Sequence, residues 1–184
     1  MSEIMDGAEP MSVDGGPVGV LVLHGFTGNP QSVRPLAEAF AAAGHGVEMP
    51  LLAGHGTKVE DMLGTNWTDW SRDAEAAFQR LAARSDRVVV SGLSMGGSLT
   101  CWLATQHPDI AGIICVNPAT QAAAEVRLFV ESLIADGQEV MDGLGSDVAD
   151  PGSPESAYPQ TPLRPLVSLF EAANEIQDDL PRIT

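Results

Sequence analysis

Basic residues are scarce in this sequence of 184 amino acids. Nine lysines and arginines stand against 25 aspartates and glutamates, which gives a net charge of -16 at pH 7, and Lys58 is the single lysine. A charge of this sign repels the phosphate backbone of nucleic acids and anionic membrane surfaces. The composition therefore argues against nucleic acid as a partner.

Long hydrophobic runs and a targeting signal are also missing. No apolar stretch approaches the ~20 residues that span a bilayer. The first six residues, M-S-E-I-M-D, are acidic and lack the basic and apolar regions of a secretory signal. Hydrophobic residues still make up 44% of the chain, enough to bury a core. We expect one cytoplasmic domain without a membrane span.

Cysteine is rare as well, with two in the whole chain. Cys101 falls in a predicted helix and Cys115 in an apolar strand, where small buried hydrophobic side chains are more typical than a disulfide. The sequence has no clustered set of His, Asp and Cys ligands and no phosphate-binding loop followed by lysine. We expect no metal and no cofactor.

The most informative stretch is residues 88–97, V-V-V-S-G-L-S-M-G-G. A β-branched run meets a Gly-x-Ser-x-Gly pentapeptide, and a helix-prone segment with an apolar stripe follows. Strand, sharp turn and helix in this order are typical of a nucleophile elbow, which exposes a serine hydroxyl above the carboxyl end of a sheet. Ser94 is the predicted nucleophile, and Gly92 and Gly96 give room for the bend. A chance match in a chain with 19 glycines is disfavoured by the flanking strand and helix.

A second Gly-rich loop, H-G-F-T-G at residues 24–28, follows a nearly continuous apolar strand. At the carboxyl end of a neighbouring strand such a loop supplies one oxyanion donor, and the first helix amide after the elbow supplies another. The backbone N–H groups of Phe26 and Met95 are the predicted pair. His24 precedes the serine and lies at the strand end, so we expect a structural role for it rather than that of a base. We expect the same of His55, between two glycines.

Strands and helices alternate over the first 118 residues. The pattern predicts strands at 18–23, 46–49, 87–91 and 112–116, helices at 32–43, about 66–83 and 95–106, and a short antiparallel edge strand at 11–13. Residue 66 or 68 would cap the second helix. This alternation predicts an α/β fold, with a parallel sheet, right-handed crossovers, and ligands beyond the carboxyl ends of the strands.

The pattern changes after residue 118. Residues 119–179 show helical stretches, a turn-rich part at 142–160, and no clear strand. We interpret residues 1–118 as the N-terminal part of the core and 119–179 as a helical cap inserted over the site, whose apolar faces could shelter an acyl chain. Ordinary outer helices are the alternative. Residues 180–184 would begin the return to the core.

Four segments together resemble a known family. They are H-G-F-T-G at 24–28, P-L-L-A-G-H-G-T at 50–57, W-T-D-W at 67–70 and G-L-S-M-G-G at 92–97. The set is similar to the bacterial carboxylesterase and monoacylglycerol lipase branch of the α/β-hydrolases. The resemblance implies a mostly parallel sheet with flanking helices and a helical cap. It also implies a cofactor-free serine carboxylesterase that forms an acyl-enzyme on Ser94.

The resemblance implies short- to medium-chain acyl esters as substrates, with monoacylglycerols as one class. A thioesterase or acyltransferase with the same nucleophile shares every motif and is an alternative. A non-catalytic ligand-binding protein of the same fold is another.

The family order of the triad is serine, acid, histidine. Downstream of Ser94 the only histidine is His107, which stands before Pro108 at a predicted helix end, where we expect a solvated surface position. The sequence thus predicts that the later core strands, with the triad acid and histidine, are missing from this chain. Without a base, turnover falls on the order of a millionfold, so we expect this chain alone to be essentially inactive. The strand at 112–116 would then be an exposed edge able to self-associate.

Overall fold

A five-stranded sheet lies at the centre of the molecule. The computed structural model describes residues 2–143 and 156–183. The strands are β1 (Met11–Val13), β2 (Val18–Leu23), β3 (Gly46–Met49), β4 (Arg87–Leu93) and β5 (Gly112–Val116). Their order is β1-β3-β2-β4-β5, with β2 to β5 parallel and β1 antiparallel to β3. The predicted parallel sheet and its antiparallel edge strand are confirmed.

Six α-helices accompany the strands within the described residues. They are α1 (Arg34–Ala42), α2 (Val59–Met62), α3 (Trp67–Ala82), α4 (Met95–Gln106), α5 (Ala124–Ala135) and α6 (Leu163–Asp179). At the start of α3, the Asn66 side chain accepts the Thr68 N–H at 2.8 Å, and the Asp69 carboxylate accepts the Asn66 N–H at 3.2 Å. This capping box fixes the start of α3. Helix α1 begins two residues later than predicted, because a 3₁₀ turn at Pro30–Ser32 precedes it.

The two faces of the sheet carry separate hydrophobic clusters. Along β2, Leu21 and Leu23 pack in one cluster with residues of α3 and α4, whereas Val20 and Val22 pack in the other with Ala37 of α1. Side chains of a strand alternate between its faces, so β2 is covered on both sides. The central strand is therefore held rigidly, and its carboxyl end is a fixed platform for the loop that follows.

The outer strand β5 is less covered. It is an edge of the sheet in the part of the chain that the structure describes. On one of its faces Ile114 and Val116 are 41% and 43% exposed. An apolar, unpaired edge of this kind can associate with another chain. The predicted self-association through this strand stays a prediction.

Two further strands follow β5, and the expectation of no strand after residue 118 is wrong. Strands β6 (Val140–Asp142) and β7 (Gln160–Pro162) form a separate antiparallel pair. With three residues each, they are too short for an alternating pattern to distinguish them from turns. Much of the predicted turn-rich part at 142–160 lies outside the described residues.

The predicted helical stretches correspond to α5 and α6. Helix α6 packs against α3 and α4, and α5 packs against α6. No helix among the described residues is both long and apolar enough to cross a membrane. That residues 119–179 act as a cap over the site, and that the core resumes at residue 180, stay predictions.

Candidate active site

Ser94 lies at a sharp bend between the last residue of β4 and the first residue of α4. Its φ and ψ are 54° and -116°, a positive-φ conformation that residues other than glycine rarely adopt. The Ser94 N–H donates to the carbonyl of Val116 at 2.9 Å, and the Ser94 carbonyl accepts the Ser98 N–H at 3.1 Å. The residue is half-buried, and its hydroxyl caps none of the N–H groups of α4 in the described structure. The hydroxyl is thus at a backbone corner, outside the regular helix.

The two glycines of the pentapeptide allow this corner to form. A Cβ atom on Gly92 would lie 2.0 Å from the carbonyl oxygen of Gly96. A Cβ on Gly96 would lie 2.2 Å from the carbonyl oxygen of Leu23, at the end of β2. Both contacts are with backbone atoms, which cannot turn aside as a side chain can. The pentapeptide therefore packs the beginning of α4 directly onto β4 and β2.

Backbone strain is concentrated at one edge of the sheet. Among the described residues, three that are not glycine have positive φ: Thr27 at 60°, Ser94 at 54° and Asn117 at 46°. They follow β2, β4 and β5, which are parallel neighbours, so all three lie beyond the carboxyl ends of the strands. Residues in such conformations cluster at functional sites, where the surrounding structure holds them in place. This edge is where a parallel sheet binds ligands.

The loop after β2 passes beside the elbow. A Cβ on Gly25 would lie 3.5 Å from the Cβ of Ser94. The next residue, Phe26, packs its ring edge-on against Trp70, with centroids 5.6 Å apart, and its carbonyl accepts the Thr27 hydroxyl at 2.6 Å. The structure thus brings together the two loops that carry the predicted oxyanion donors. That the N–H groups of Phe26 and Met95 point at a common oxyanion stays a prediction.

His24 is fully buried at the end of β2. Its Nε2 accepts the Leu52 N–H at 3.2 Å. The proton therefore resides on Nδ1, which donates to the Gly25 carbonyl at 3.0 Å. Burial lowers the pKa of His24 to about 4, against the opposing effect of the Gly25 hydrogen bond. Both ring nitrogens are engaged by backbone, in agreement with the structural role predicted for this residue.

His55 packs against His24, with ring centroids 5.0 Å apart. Its Nδ1 is 3.0 Å from the Ala53 carbonyl and donates to it. Burial, followed by the proximity of His24, lowers the pKa of His55 to about 3. Its Nε2 is buried without a hydrogen-bond partner among the described residues. Two neutral imidazoles thus fill the space beneath the loop, and His55 too has the structural position that was predicted.

Tyr158 holds the same loops together, and sequence reasoning missed it. Its hydroxyl donates to the Gly54 carbonyl at 2.7 Å and accepts the Thr57 N–H at 3.0 Å. Its own N–H donates to the carbonyl of the strained Thr27 at 3.0 Å. The single tyrosine of the chain therefore links the segment before β7 to both loops. No local pattern signals a contact between residues a hundred positions apart.

Asp73 was missed as well. From α3, its carboxylate accepts the Ala53 N–H at 2.8 Å, and burial raises its pKa. Trp70, one turn earlier, donates its indole N–H to the Ala53 carbonyl at 3.1 Å. Side chains of α3 thus bind both the N–H and the carbonyl of Ala53. The aromatic spacing of this helix was predicted to be core, and Trp70 is indeed fully buried.

His107 is not a solvated surface residue as expected. It is half-buried, its Nε2 lies 2.8 Å from a carboxylate oxygen of Glu75, and its ring packs against Phe78 with centroids 4.3 Å apart. The helix ends before Pro108 and directs the ring back onto α3. Helix α4 has 12 residues, with Ser94 and His107 at its two caps, so the two residues are about 20 Å apart at 1.5 Å per residue. His107 cannot serve as the base for Ser94.

The fold agrees with what is found among known proteins. The profile of the family described as serine aminopeptidase S33 matches residues 18–150. The chain belongs to this family. As an α/β-hydrolase it has the fold class that the sequence predicted, and the resemblance to the carboxylesterase and monoacylglycerol lipase branch is confirmed.

Two relatives have sequences similar to this α/β-hydrolase over nearly its whole length. A thermostable monoacylglycerol lipase of Bacillus sp. (strain H-257) is 43% identical, over 98% of this chain and 71% of the lipase. A carboxylesterase of Bacillus subtilis (strain 168) is 25% identical, over 95% of this chain and 71% of that protein.

Solved structures agree in fold. One from work on the metagenome-derived lipolytic enzymes LipS and LipT has a TM-score of 0.93 at 40% identity, and the match covers 99% of this chain and 74% of that one. A monoacylglycerol lipase of Paleococcus ferrophilus has a TM-score of 0.71 at 15% identity, over 96% of this chain and 74% of that one. At that identity the second likeness concerns the fold alone.

Proposed function

We propose that this α/β-hydrolase cleaves carboxylic esters through an acyl-enzyme on Ser94, with the N–H groups of Phe26 and Met95 as the oxyanion hole. The relatives set the class of enzyme: the chain is a carboxylic ester hydrolase. The observation that carries the nucleophile assignment is the strained, positive-φ conformation of Ser94 at the bend between β4 and α4. Relatives that hydrolyse esters also favour catalysis over the binding of a ligand alone.

The first step is attack by the Ser94 hydroxyl on the ester carbonyl carbon. A C–O bond forms, and the carbonyl electron pair moves to the oxygen, which needs hydrogen-bond donors. Met95 is the first residue of α4, so its N–H has no carbonyl within the helix to bond, and the helix dipole favours negative charge there. The second donor, Phe26, is next to Gly25, which approaches Ser94 closely. Each donor typically lowers the barrier by ~2.7–4 kcal/mol.

The second half of the reaction releases the acid. The tetrahedral intermediate collapses, the C–O bond to the alcohol breaks, and the alcohol departs with a proton. Water then attacks the acyl-enzyme and regenerates the Ser94 hydroxyl. Both halves require a base that takes the serine or water proton and later returns it.

None of the four histidines of this chain is suited to be that base. His24 and His55 use backbone partners and are buried. His107 is at the far end of α4. His45 immediately precedes β3, at the opposite edge of the sheet from Ser94. The acid and the histidine of the triad, which the family order predicts, stay predictions. None of these four histidines is proposed as the triad histidine.

We further propose that residues 119–179 act as the cap and help to select the acyl group. Two observations support this. Helix α6 packs against α3 and against α4, the helix that follows the elbow. The Tyr158 N–H binds the carbonyl of Thr27, in the loop of the proposed oxyanion donor. Short- to medium-chain esters are the proposed substrates, with monoacylglycerols among them, as for the relative at 43% identity. The cytoplasmic location is likewise proposed.

Labelling with a fluorophosphonate tests the nucleophile. The reagent phosphonylates an activated serine hydroxyl, and peptide mass spectrometry identifies the modified residue. We expect the adduct on Ser94 and none with Ser94→Ala. Ser91→Ala is the matched control, because it removes a buried hydroxyl of the same elbow that has no partner among the described residues. An adduct on another residue, or equal labelling of Ser94→Ala, would contradict the proposal.

The rate of labelling by the fluorophosphonate tests a separate expectation, that this chain contains no catalytic base for Ser94. We expect the chain to label slowly, because removing a triad base costs up to about a millionfold. Labelling that is complete within minutes would refute the expected inactivity while leaving Ser94 as the nucleophile.

Probes with different leaving groups distinguish the reaction classes, and the ester and the thioester share one acyl group. A butanoyl nitrophenyl ester, a butanoyl thioester and an aminoacyl anilide are compared by the rate at which the Ser94 adduct appears in the intact mass. We expect the oxygen ester to acylate fastest. Faster acylation by the thioester would support the thioesterase or acyltransferase alternative. Faster reaction of the anilide would support a peptidase, as the family description has it.

A further inference from the structure

Two thiols outside the proposed catalytic groups face each other beside the elbow. Cys101 is in the second turn of α4 and is 4% exposed, whereas Cys115 is in β5 and is half-buried. Both are free, and their sulfurs are 3.7 Å apart. They are the only cysteines of the chain. The pair therefore lies between α4, the helix that follows Ser94, and the neighbouring strand β5.

The two sulfurs are in non-bonded contact, at a distance from which a disulfide can form. A disulfide has an S–S length of about 2.05 Å, so the sulfurs must approach by roughly 1.6 Å from 3.7 Å. Rotation of one or both side chains about the Cα–Cβ bond can move a sulfur by this amount. The backbones are already held together, since Cys115 pairs in register with Gly92 of β4 and α4 packs on β5.

The two sulfurs differ in environment. The two thiols share a hydrogen bond, and this contact lowers the pKa of Cys115. The same contact, together with burial, raises the pKa of Cys101. Thiolates are the reactive form of cysteine, and a partly exposed thiolate can be reached by a small oxidant. Cys115 is therefore the attacking sulfur and Cys101 the resolving one.

We propose that Cys101 and Cys115 are an oxidative modification site, at which a peroxide forms an intramolecular disulfide between α4 and β5. The Cys115 thiolate attacks one peroxide oxygen, the O–O bond breaks, and a sulfenic acid forms with release of water. The Cys101 sulfur then attacks the sulfenic sulfur, and the second water leaves. Two thiols and one hydrogen peroxide give one disulfide and two waters, so sulfur loses two electrons and the peroxide gains them.

The bond would act on the surroundings of the elbow. The carbonyl of Val116, next to Cys115, accepts the N–H of Ser94. Pro118 lies against Gly97 of α4, so closely that a Cβ there would be 2.9 Å from the proline. A disulfide would add a covalent link between α4 and β5. The proposal goes beyond the proposed function and does not depend on it.

Peroxide treatment of the reduced 184-residue chain tests the site without any assay of activity. We expect the intact mass to fall by about 2 Da, both thiols to become resistant to alkylation, and dithiothreitol to reverse the change. Oxidation in concentrated urea is the control that needs no variant. The native chain should close the bond roughly tenfold faster or more, because folding holds the sulfurs together.

Two variants assign the order of the steps. In Cys101→Ala, which avoids burying a hydroxyl, dimedone should trap the sulfenic acid on Cys115. In Cys115→Ser, Cys101 should stay reduced. Thiols that remain alkylatable after peroxide, a disulfide formed only between two chains, or equal rates in buffer and urea would each overturn the proposal.

Discussion

The two sides of the candidate active site are held by different forces. On one side, the elbow of Ser94 is shaped by backbone atoms that approach each other with no room for a Cβ, at Gly92 and Gly96. On the other side, residues 24–28 and 51–57 are tied by hydrogen bonds to His24, Asp73 and Tyr158. Steric fit fails when a single atom is added. Hydrogen bonds can be lost one at a time, and those made by titratable side chains depend on pH.

The contrast has a consequence for function. The proposed nucleophile, Ser94, needs a position that does not vary, and close packing of the backbone at Gly92 and Gly96 supplies it. The facing loop carries one proposed oxyanion donor and touches the segment of the proposed cap through Tyr158. Its position therefore depends on several weaker contacts. Three experiments, from the largest expected effect to the smallest, test this difference.

Gly92→Ala should break the elbow. The new Cβ would lie 2.0 Å from the carbonyl oxygen of Gly96, and backbone must shift to admit it. We expect a loss of about 3 kcal/mol or more in the free energy of unfolding by urea. Gly112→Ala is the matched control in the neighbouring strand, since nothing lies within 4 Å of its Cβ. Equal effects of the two substitutions would show that the elbow is not shaped by steric exclusion.

Acid should loosen the loop side. His24 and His55 have pKa values of about 4 and about 3 in the folded chain, against 6.5 when unfolded. The unfolded chain therefore binds more protons below pH 6.5, and stability falls as pH falls toward the folded values. From pH 7.5 to 5.5, each histidine should cost about 1.3 kcal/mol of unfolding free energy.

Urea unfolding of wild type and His55→Asn at the two pH values measures this effect. The asparagine amide can still donate to the Ala53 carbonyl, so the variant should fold. We expect the loss of stability between the two pH values to shrink by about half. An unchanged pH dependence would mean that His55 is not held neutral by its burial.

Tyr158→Phe should have the smallest effect of the three. It leaves the Gly54 carbonyl and the Thr57 N–H without the hydroxyl that binds both. We expect a loss of about 1–2 kcal/mol and faster amide exchange at Thr57. Ser91→Ala, which removes a buried hydroxyl without a partner among the described residues, should change stability by under about 0.5 kcal/mol. If the two variants behave alike, the Tyr158 hydroxyl does not hold the loop.

The elbow could be predicted because its determinants are adjacent in the chain. Strand, pentapeptide and helix span residues 87–106, and the glycines that the bend requires are visible as letters. Parallel strands could be predicted for the same reason, from runs such as β2 that are apolar throughout. Asn66 could be recognised because a cap acts within one turn of its helix.

The contacts that hold the facing loop could not be predicted, because they join distant residues. Tyr158 lies 104 residues from Gly54, and Asp73 lies 20 from Ala53. His107 was misjudged for the same reason, since Glu75 and Phe78 come from another helix. Strands β6 and β7 have three residues each, and their pairing depends on tertiary contacts rather than on a repeating pattern.

The hydrogen bond from the Ser94 N–H to the Val116 carbonyl connects the edge strand β5 directly to the proposed nucleophile. Strand β5 contributes no proposed catalytic group, yet a sideways slip of its last residue would be transmitted over 2.9 Å to the amide of Ser94. The position of the proposed nucleophile is thereby coupled to the position of β5.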